Sequence, residues 1–149
     1  MNDIAPNLAP KHAIVTGASR GIDRAAALRL ARDGFAVVIN YAGNHDKAAE
    51  VIKEITGKGG RAIAVQADVA DAAGVARLFD EAEQAQGKIG VVVNSAGIMK
   101  LFPIASGKVE DFDAVFNINV RGTFNCCNRR RSALPTAAAS SRCLSACSG

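Results

Sequence analysis

Strands alternating with helices along most of the chain predict an α/β fold, a doubly wound parallel sheet that stops after about four strands. Three observations carry this. Short apolar runs are separated by segments of helical periodicity. One of those runs, Phe-Ala-Val-Val-Ile at residues 35–39, is continuously apolar, as a strand covered on both faces must be. A glycine turn joins the first run to the first helix.

The elements follow in order. Residues 1–11 form a polar, Pro-containing lead-in, and residues 12–16 a short apolar strand. A helix is expected over 21–33, with Ile22, Ala26 and Leu30 inward, Arg24, Arg29 and Arg32 outward, and Gly34 as its stop. After the strand at 35–39, residues 45 to about 57 read as a helix buried through Ala48, Val51, Ile52 and Ile55. Residues 61–66 are the third strand. Asp71 caps a third helix, with Val75, Leu78, Phe79 and Ala82 inward and Gly87 as its end. Residues 89–93 make a fourth strand, and 111 to about 125 a fourth helix. Right-handed crossovers then give the strand order 3-2-1-4, with a crevice between strands 1 and 4 at their C-terminal ends.

Chemistry concentrates at that crevice. In Ile-Val-Thr-Gly-Ala-Ser-Arg-Gly-Ile-Asp, residues 14–23, Gly17 lets the chain leave the strand sharply and Gly21 lets a ligand approach the main chain. The helix behind them aims its free N–H groups and positive dipole end at the turn, which suits a phosphate. A glycine pair by itself is unspecific; a strand before it and a helix and strand after it supply the required context. Such turns normally end in a third glycine or an alanine where helix and strand pack closely, and here Asp23 takes that place. Its carboxylate favours the helix start, yet it repels a bound pyrophosphate and crowds the contact.

Composition sets the bounds. A chain of 149 residues, 49% hydrophobic and 21% charged, suits one globular domain. No apolar run approaches the ~20 residues of a membrane span. The first residues lack a basic region followed by an apolar core, so no secretory signal is expected. A cytoplasmic location with reduced cysteines is the default expectation. The net charge of +4 is not spread over the chain. Every acid precedes Cys126, whereas all four cysteines, Cys126, Cys127, Cys143 and Cys147, lie from that residue onward, as do Arg129, Arg130, Arg131 and Arg142. Residues 12–125 are therefore read as a partial dinucleotide-binding domain, and 126–149 as an unrelated tail, disordered or frameshifted.

Several motifs in register carry a family resemblance. Thr16-Gly17-Ala18-Ser19-Arg20-Gly21-Ile22 resembles the cofactor turn of the short-chain dehydrogenase/reductase family, except at Asp23. Asp68-Val69 is similar to the pair that holds the adenine ring, and Asn94-Ser95-Ala96-Gly97 to the Asn-Asn-Ala-Gly motif after strand 4. Asn119 falls where the family places the Asn of its catalytic tetrad. Residues 12–125 thus resemble the 3-oxoacyl-carrier-protein reductase-like branch, which implies a Rossmann-type fold. It also implies hydride transfer between a nicotinamide cofactor and a small-molecule carbonyl or alcohol. By this resemblance the cofactor residues are Thr16, Gly17, Ser19, Arg20, Gly21, Ile22, Asn40, Asp68, Val69, Asn94, Ala96 and Gly97. Taken singly, Asp68 also reads as a turn residue, Asn94 as a loop residue and Asn119 as a locally bonded helix side chain. Cofactor choice follows from charge. After strand 2 no acid occurs until Asp46, while Arg20 lies inside the turn, a combination that points to NADP(H) over NAD(H).

The family's acid is absent. Its chemistry needs a Tyr with a Lys four residues on, whose charge eases proton release, and a Ser that polarises the carbonyl. The single Tyr is Tyr41, followed four residues on by His45, and no Lys occurs after Lys108. Catalysis by this chain is therefore not expected, and a weak dinucleotide-binding fragment is the alternative. Three readings compete for 126–149: a zinc site, for which the cysteine spacing is poor; a nucleic-acid-binding cluster, which lacks aromatics; and an out-of-frame translation of GC-rich DNA. Neither metal nor nucleic acid is expected. The fourth strand becomes an exposed edge in this reading, which favours aggregation. The family's homotetramer is not expected of such a fragment.

Overall fold

The structure, a computed structural model, describes residues 11–132 and 143–145. In chain order the elements are β1 (His12–Val15), α1 (Gly21–Arg32), β2 (Ala36–Tyr41), α2 (His45–Gly57), β3 (Arg61–Gln66), α3 (Ala72–Gln86), β4 (Val91–Asn94), α4 (Val109–Phe116), α5 (Gly122–Ser132) and β5 (Cys143–Ser145). A turn of 3₁₀ helix (Ile104–Ser106) precedes α4, and a wider π-helical turn (Asn117–Arg121) joins α4 to α5. The sheet is parallel, in the order β3-β2-β1-β4-β5. Its first four strands thus take the expected 3-2-1-4 arrangement. Among the described residues no helix is long and apolar enough to cross a membrane.

The alternation of side chains along the central strands builds two cores. Ile14, Val38 and Val92 face α3 and α5, where Val75, Leu78, Phe79, Ala82 and Cys126 complete one cluster. Val15, Val37 and Ile39 face the opposite way, onto Ala27 of α1 and Ala48, Val51 and Ile55 of α2. All six residues of β2 are buried, which explains its unbroken apolar run. Helix starts follow side-chain capping. Asp71 accepts from the amides of Ala73 and Gly74 at 3.1 and 2.9 Å, and Asn44 accepts from Lys47 N at 3.1 Å.

Three expectations need correction. Ile22 does not lie on the inner stripe of α1: it is 63% exposed, and Ala27 is the fully buried residue of that helix. Close approach of α1 to the sheet is made through alanine, and alanines carry little weight in an apolar pattern. Nor does the last helix end where the composition changes. The expected boundary after Asn125 falls inside α5, which continues to Ser132. Cys126 is buried in the core beside Phe79, and the guanidinium of Arg129 lies 6.0 Å from the Phe79 ring centroid and 2.5 Å from Asp80 Oδ1. Arg130 donates to the carbonyls of Ile89 and Gly90. Finally, β4 is not an edge, because β5 pairs with it from Val92↔Cys143 to Asn94↔Ser145. Of the cysteines invoked for a zinc site, Cys147 lies outside the described residues. Arg142 of the basic cluster lies outside them as well.

Candidate functional site

A cleft of roughly 640 Å³ opens at the C-terminal ends of the strands. Its walls are the β1–α1 turn (Gly17, Ser19, Arg20, Asp23), the stretch from Asn40 to Lys47, the loop after β3 (Ala67, Asp68, Val69), the loop after β4 (Ala96, Gly97, Ile98), and Ile118. This is the crevice expected at the point where strand order reverses.

The turn is shaped by two glycines with left-handed backbone, Gly17 at φ +72° and Gly21 at φ +61°. At Gly17 a Cβ would stand 2.9 Å from Ala96 Cα and 3.2 Å from Asp23 Oδ2. The position is therefore closed to any side chain by both strain and contact. At Gly21 a Cβ would meet nothing within 4 Å, so that side of the turn faces open space. Among the described residues no side chain caps α1, whose N-cap residue is Arg20. Its first amides stay available to an anion.

A polar chain crosses beneath the turn. The Thr16 hydroxyl is fully buried; it accepts from the amides of Ser95 and Ala96 at 3.0 and 3.1 Å and donates to Asn94 Oδ1 at 3.2 Å. Asn94 Nδ2 donates to Thr123 Oγ1 at 2.7 Å, and that hydroxyl donates to the Asn119 carbonyl at 2.7 Å. Thr16 and Asn94 thus lock β1, β4 and the α4–α5 helix together and shape the cleft from below. Asn119 is committed as well: Oδ1 accepts from Ile98 N and Nδ2 donates to Ile98 O, each at 2.8 Å. A Cβ at Gly97 would lie 3.2 Å from that Oδ1. The amide side chain enters the Ile98 loop like a paired strand residue, and it does so from the widened π turn that aims it there.

The remaining expected residues divide. Ser19, Arg20, Asp68, Val69, Ala96 and Gly97 reach the cleft wall. Ile22 is not on that wall; its side chain points to solvent. Asn40 lines the cleft, but its amide donates to the carbonyls of Val65 and Ala67 at 3.3 and 3.0 Å, tying β2 to β3. Asp68 closes a local turn by accepting from Ala70 N at 2.9 Å. Sequence reasoning missed Asn125, whose Nδ2 donates to Val69 O at 2.9 Å, and Thr123. Both sit one or two helical turns beyond Asn119 on α5, and that spacing was the available signal. It also missed Tyr41, Asn44, His45 and Lys47 on the wall opposite the turn.

Asp23 and Ser95 meet. The Ser95 hydroxyl donates a hydrogen bond to Asp23 Oδ1. Burial pushes the Asp23 carboxyl above the ordinary 3.8; the Ser95 hydrogen bond and the Arg20 charge oppose that rise.

A parallel doubly wound sheet with a glycine turn at its switch point is a Rossmann-type α/β fold. The family model described as short chain dehydrogenase matches residues 11–143, and the chain belongs to the short-chain dehydrogenase family. It is 45% identical over 116 residues to the 3-oxoacyl-acyl-carrier-protein reductase FabG of Staphylococcus epidermidis, covering 78% of this chain and 48% of the relative. To an NADPH-dependent aldehyde reductase-like chloroplastic protein of Arabidopsis thaliana it is 47% identical over 131 residues, 80% of this chain and 48% of that one. Among solved structures, a short chain dehydrogenase from Burkholderia cenocepacia in complex with NADP superposes with a TM-score of 0.78 at 39% identity, covering 80% of this chain and 49% of that one. A blue fluorescent protein from a metagenomic library, in complex with NADPH, gives 0.79 at 37% identity, covering 87% and 53%. The chain spans about half the length of the curated relatives it matches.

Proposed function

We propose that this chain is the cofactor-binding half of an NADPH-dependent oxidoreductase that reduces a small carbonyl compound, a 3-oxoacyl thioester or one of similar shape, by hydride transfer. The observation that carries the reading is the uncapped start of α1 behind Gly17 and Gly21, at the mouth of the cleft. There the pyrophosphate would meet main-chain amides, with the adenosine running over Asp68 and Val69 toward β3. The bound nicotinamide would supply or accept the hydride. This chain's own residues position it: Thr16 and Asn94 hold the turn against β4, and Asn119 holds the Ile98 loop. The choice of NADP(H) is supported by Arg20 on the cleft wall and by the absence of an acid from Asn40 to His45. NADP and NADPH in the two structural relatives described above support it further.

Tyr41 is the single tyrosine, it is 7% exposed at the end of β2, and His45 rather than Lys stands four residues on. The 149-residue chain therefore binds the dinucleotide without turning it over. Titration with NADPH, followed by nicotinamide fluorescence, tests the binding. A saturable change that NADH reproduces only at higher concentration is expected, with no NADPH oxidation when a 3-oxoacyl thioester is added. No change up to millimolar NADPH would sink the reading.

A further inference from the structure

The two positions at which the cofactor motifs depart from the family pattern, Asp23 in the glycine turn and Ser95 in the Asn94–Gly97 motif, are in direct contact. They lie 72 residues apart in the chain, on α1 and after β4, so the contact joins the two motifs directly. Asp23 also faces the turn itself. Its second oxygen, Oδ2, lies 3.2 Å from where a Gly17 side chain would begin, and the residue is part of the cleft wall.

We propose that Asp23, tethered by Ser95, is a pH-dependent gate on dinucleotide affinity: its carboxylate stands beside the pyrophosphate cradle and admits phosphate readily only when protonated. The proposal rests on the dinucleotide reading given above. The charge logic is direct. An ionised Asp23 and a pyrophosphate are like charges within contact range, and the loss falls on binding rather than on the fold. Arg20, in the same turn, is the cation acting on Asp23 and offsets the charge in part. From β4 the neighbour is the neutral Ser95 hydroxyl, which donates and so favours the ionised form. The other ionisable groups on the cleft wall are His45, Asp46 and Lys47 at the start of α2 and Asp68 after β3. The first three line the stretch after β2, and none of the four is among the causes that act on the Asp23 carboxyl. Burial already raises that carboxyl above its ordinary value, so an approaching phosphate drives it further in the same direction. Binding then takes up a proton from solvent, which stays on the Asp23 carboxyl while the phosphate is bound.

Calorimetric titration of the full chain with NADP+ between pH 8 and pH 5 tests this, in buffers of differing ionisation enthalpy. Asp23→Gly and Asp23→Asn are titrated beside it; the second keeps the shape and the Ser95 hydrogen bond while removing the charge. At pH 8 both variants should bind roughly ten- to a hundredfold more tightly than the parent, the range expected for a contact between like charges. The parent should approach them as pH falls, with a proton uptake that Asp23→Asn lacks. Any uptake seen in Asp23→Asn belongs to the cofactor's own phosphate and is subtracted. Ser95→Ala, which removes the donor that favours the ionised form, should move the parent's pH profile toward higher pH. If parent and variants bind with equal affinity and equal pH slope, the gate is refuted while the dinucleotide reading stands. If none of them binds at any pH in the range, both fall.

Discussion

The ground beneath the glycine turn and the stretch that follows β4 are built on different terms. On the β1 side, every polar group brought beneath the glycine turn has a partner. Thr16 takes two amides and gives its proton to Asn94, Asn40 spans β2 and β3, and the surrounding Val15, Ala18 and Ile39 are fully buried. The stretch from Met99 to Phe124 instead carries large apolar side chains in solvent, among them Leu101 at 90% and Ile104 at 98% exposure. Phe112 and Phe116 stack on one another at 4.3 Å, yet both remain half exposed. The ground beneath the turn is thus cross-braced by its own residues, whereas the stretch after β4 leaves apolar area exposed among the described residues. The lesson concerns function: the wall that would hold a cofactor is preorganised, and the wall that would meet a second reactant is open.

Substitutions can break or sharpen this contrast. The largest effect is expected from Phe79→Ala, which empties the centre of the α3–α5 core and removes the ring under Arg129. A loss of about 3–5 kcal/mol is expected in denaturant unfolding. Thr16→Val comes next. It keeps the volume but strands the amides of Ser95 and Ala96, for a loss of roughly 2–4 kcal/mol by the same measurement. A loss under half a unit would mean that the polar chain does not hold the cleft. Gly122→Ala tests the opposite wall, since its Cβ would stand 2.6 Å from Val69 Cγ2. Overpacking of about 1–3 kcal/mol is expected, together with weaker dinucleotide binding because Val69 and Asp68 are displaced.

On the open side the expectation reverses. Phe124→Ser, at a residue 65% exposed, should change stability by less than about 0.5 kcal/mol and raise solubility. A large destabilisation would show that this face is packed after all. The smallest effect concerns Asp23. Its carboxyl titrates above 3.8 when folded, so the folded chain holds its proton more tightly than the unfolded chain does. Stability relative to Asp23→Asn should therefore be highest below the ordinary value, decline as pH rises through the interval up to the folded value, and level off above it. Melting temperatures of the two proteins across that interval report it.

Much of this was legible in the residues. The strand order, the stripes of α2 and α3 and the Asp71 cap follow from periodicity and capping chemistry, because those segments bury large side chains on one face. The phase of α1 did not follow, since Ile22 points to solvent and the buried contact is an alanine. Thr16, Asn40 and Asn94 stand among the expected cofactor residues; their side chains are hydrogen-bonded to protein partners, and Asn40 lines the cleft as well. A polar residue at a strand end looks the same in sequence whether it serves the backbone or a cofactor, and only the partners distinguish the two. Composition misled at Cys126. A small thiol fits the core, and the arginine after it spends its charge on Asp80 and its plane on Phe79, so a basic stretch continues the helix without a break.

The most direct test of the central claim is amide hydrogen exchange with and without saturating NADP+. Slowed exchange is predicted at residues 17–23 and 95–98, the turn and the facing loop, with little change on α4. Protection confined to the exposed face of α4 and α5, or none at a concentration that saturates binding, would contradict a dinucleotide held at the start of α1.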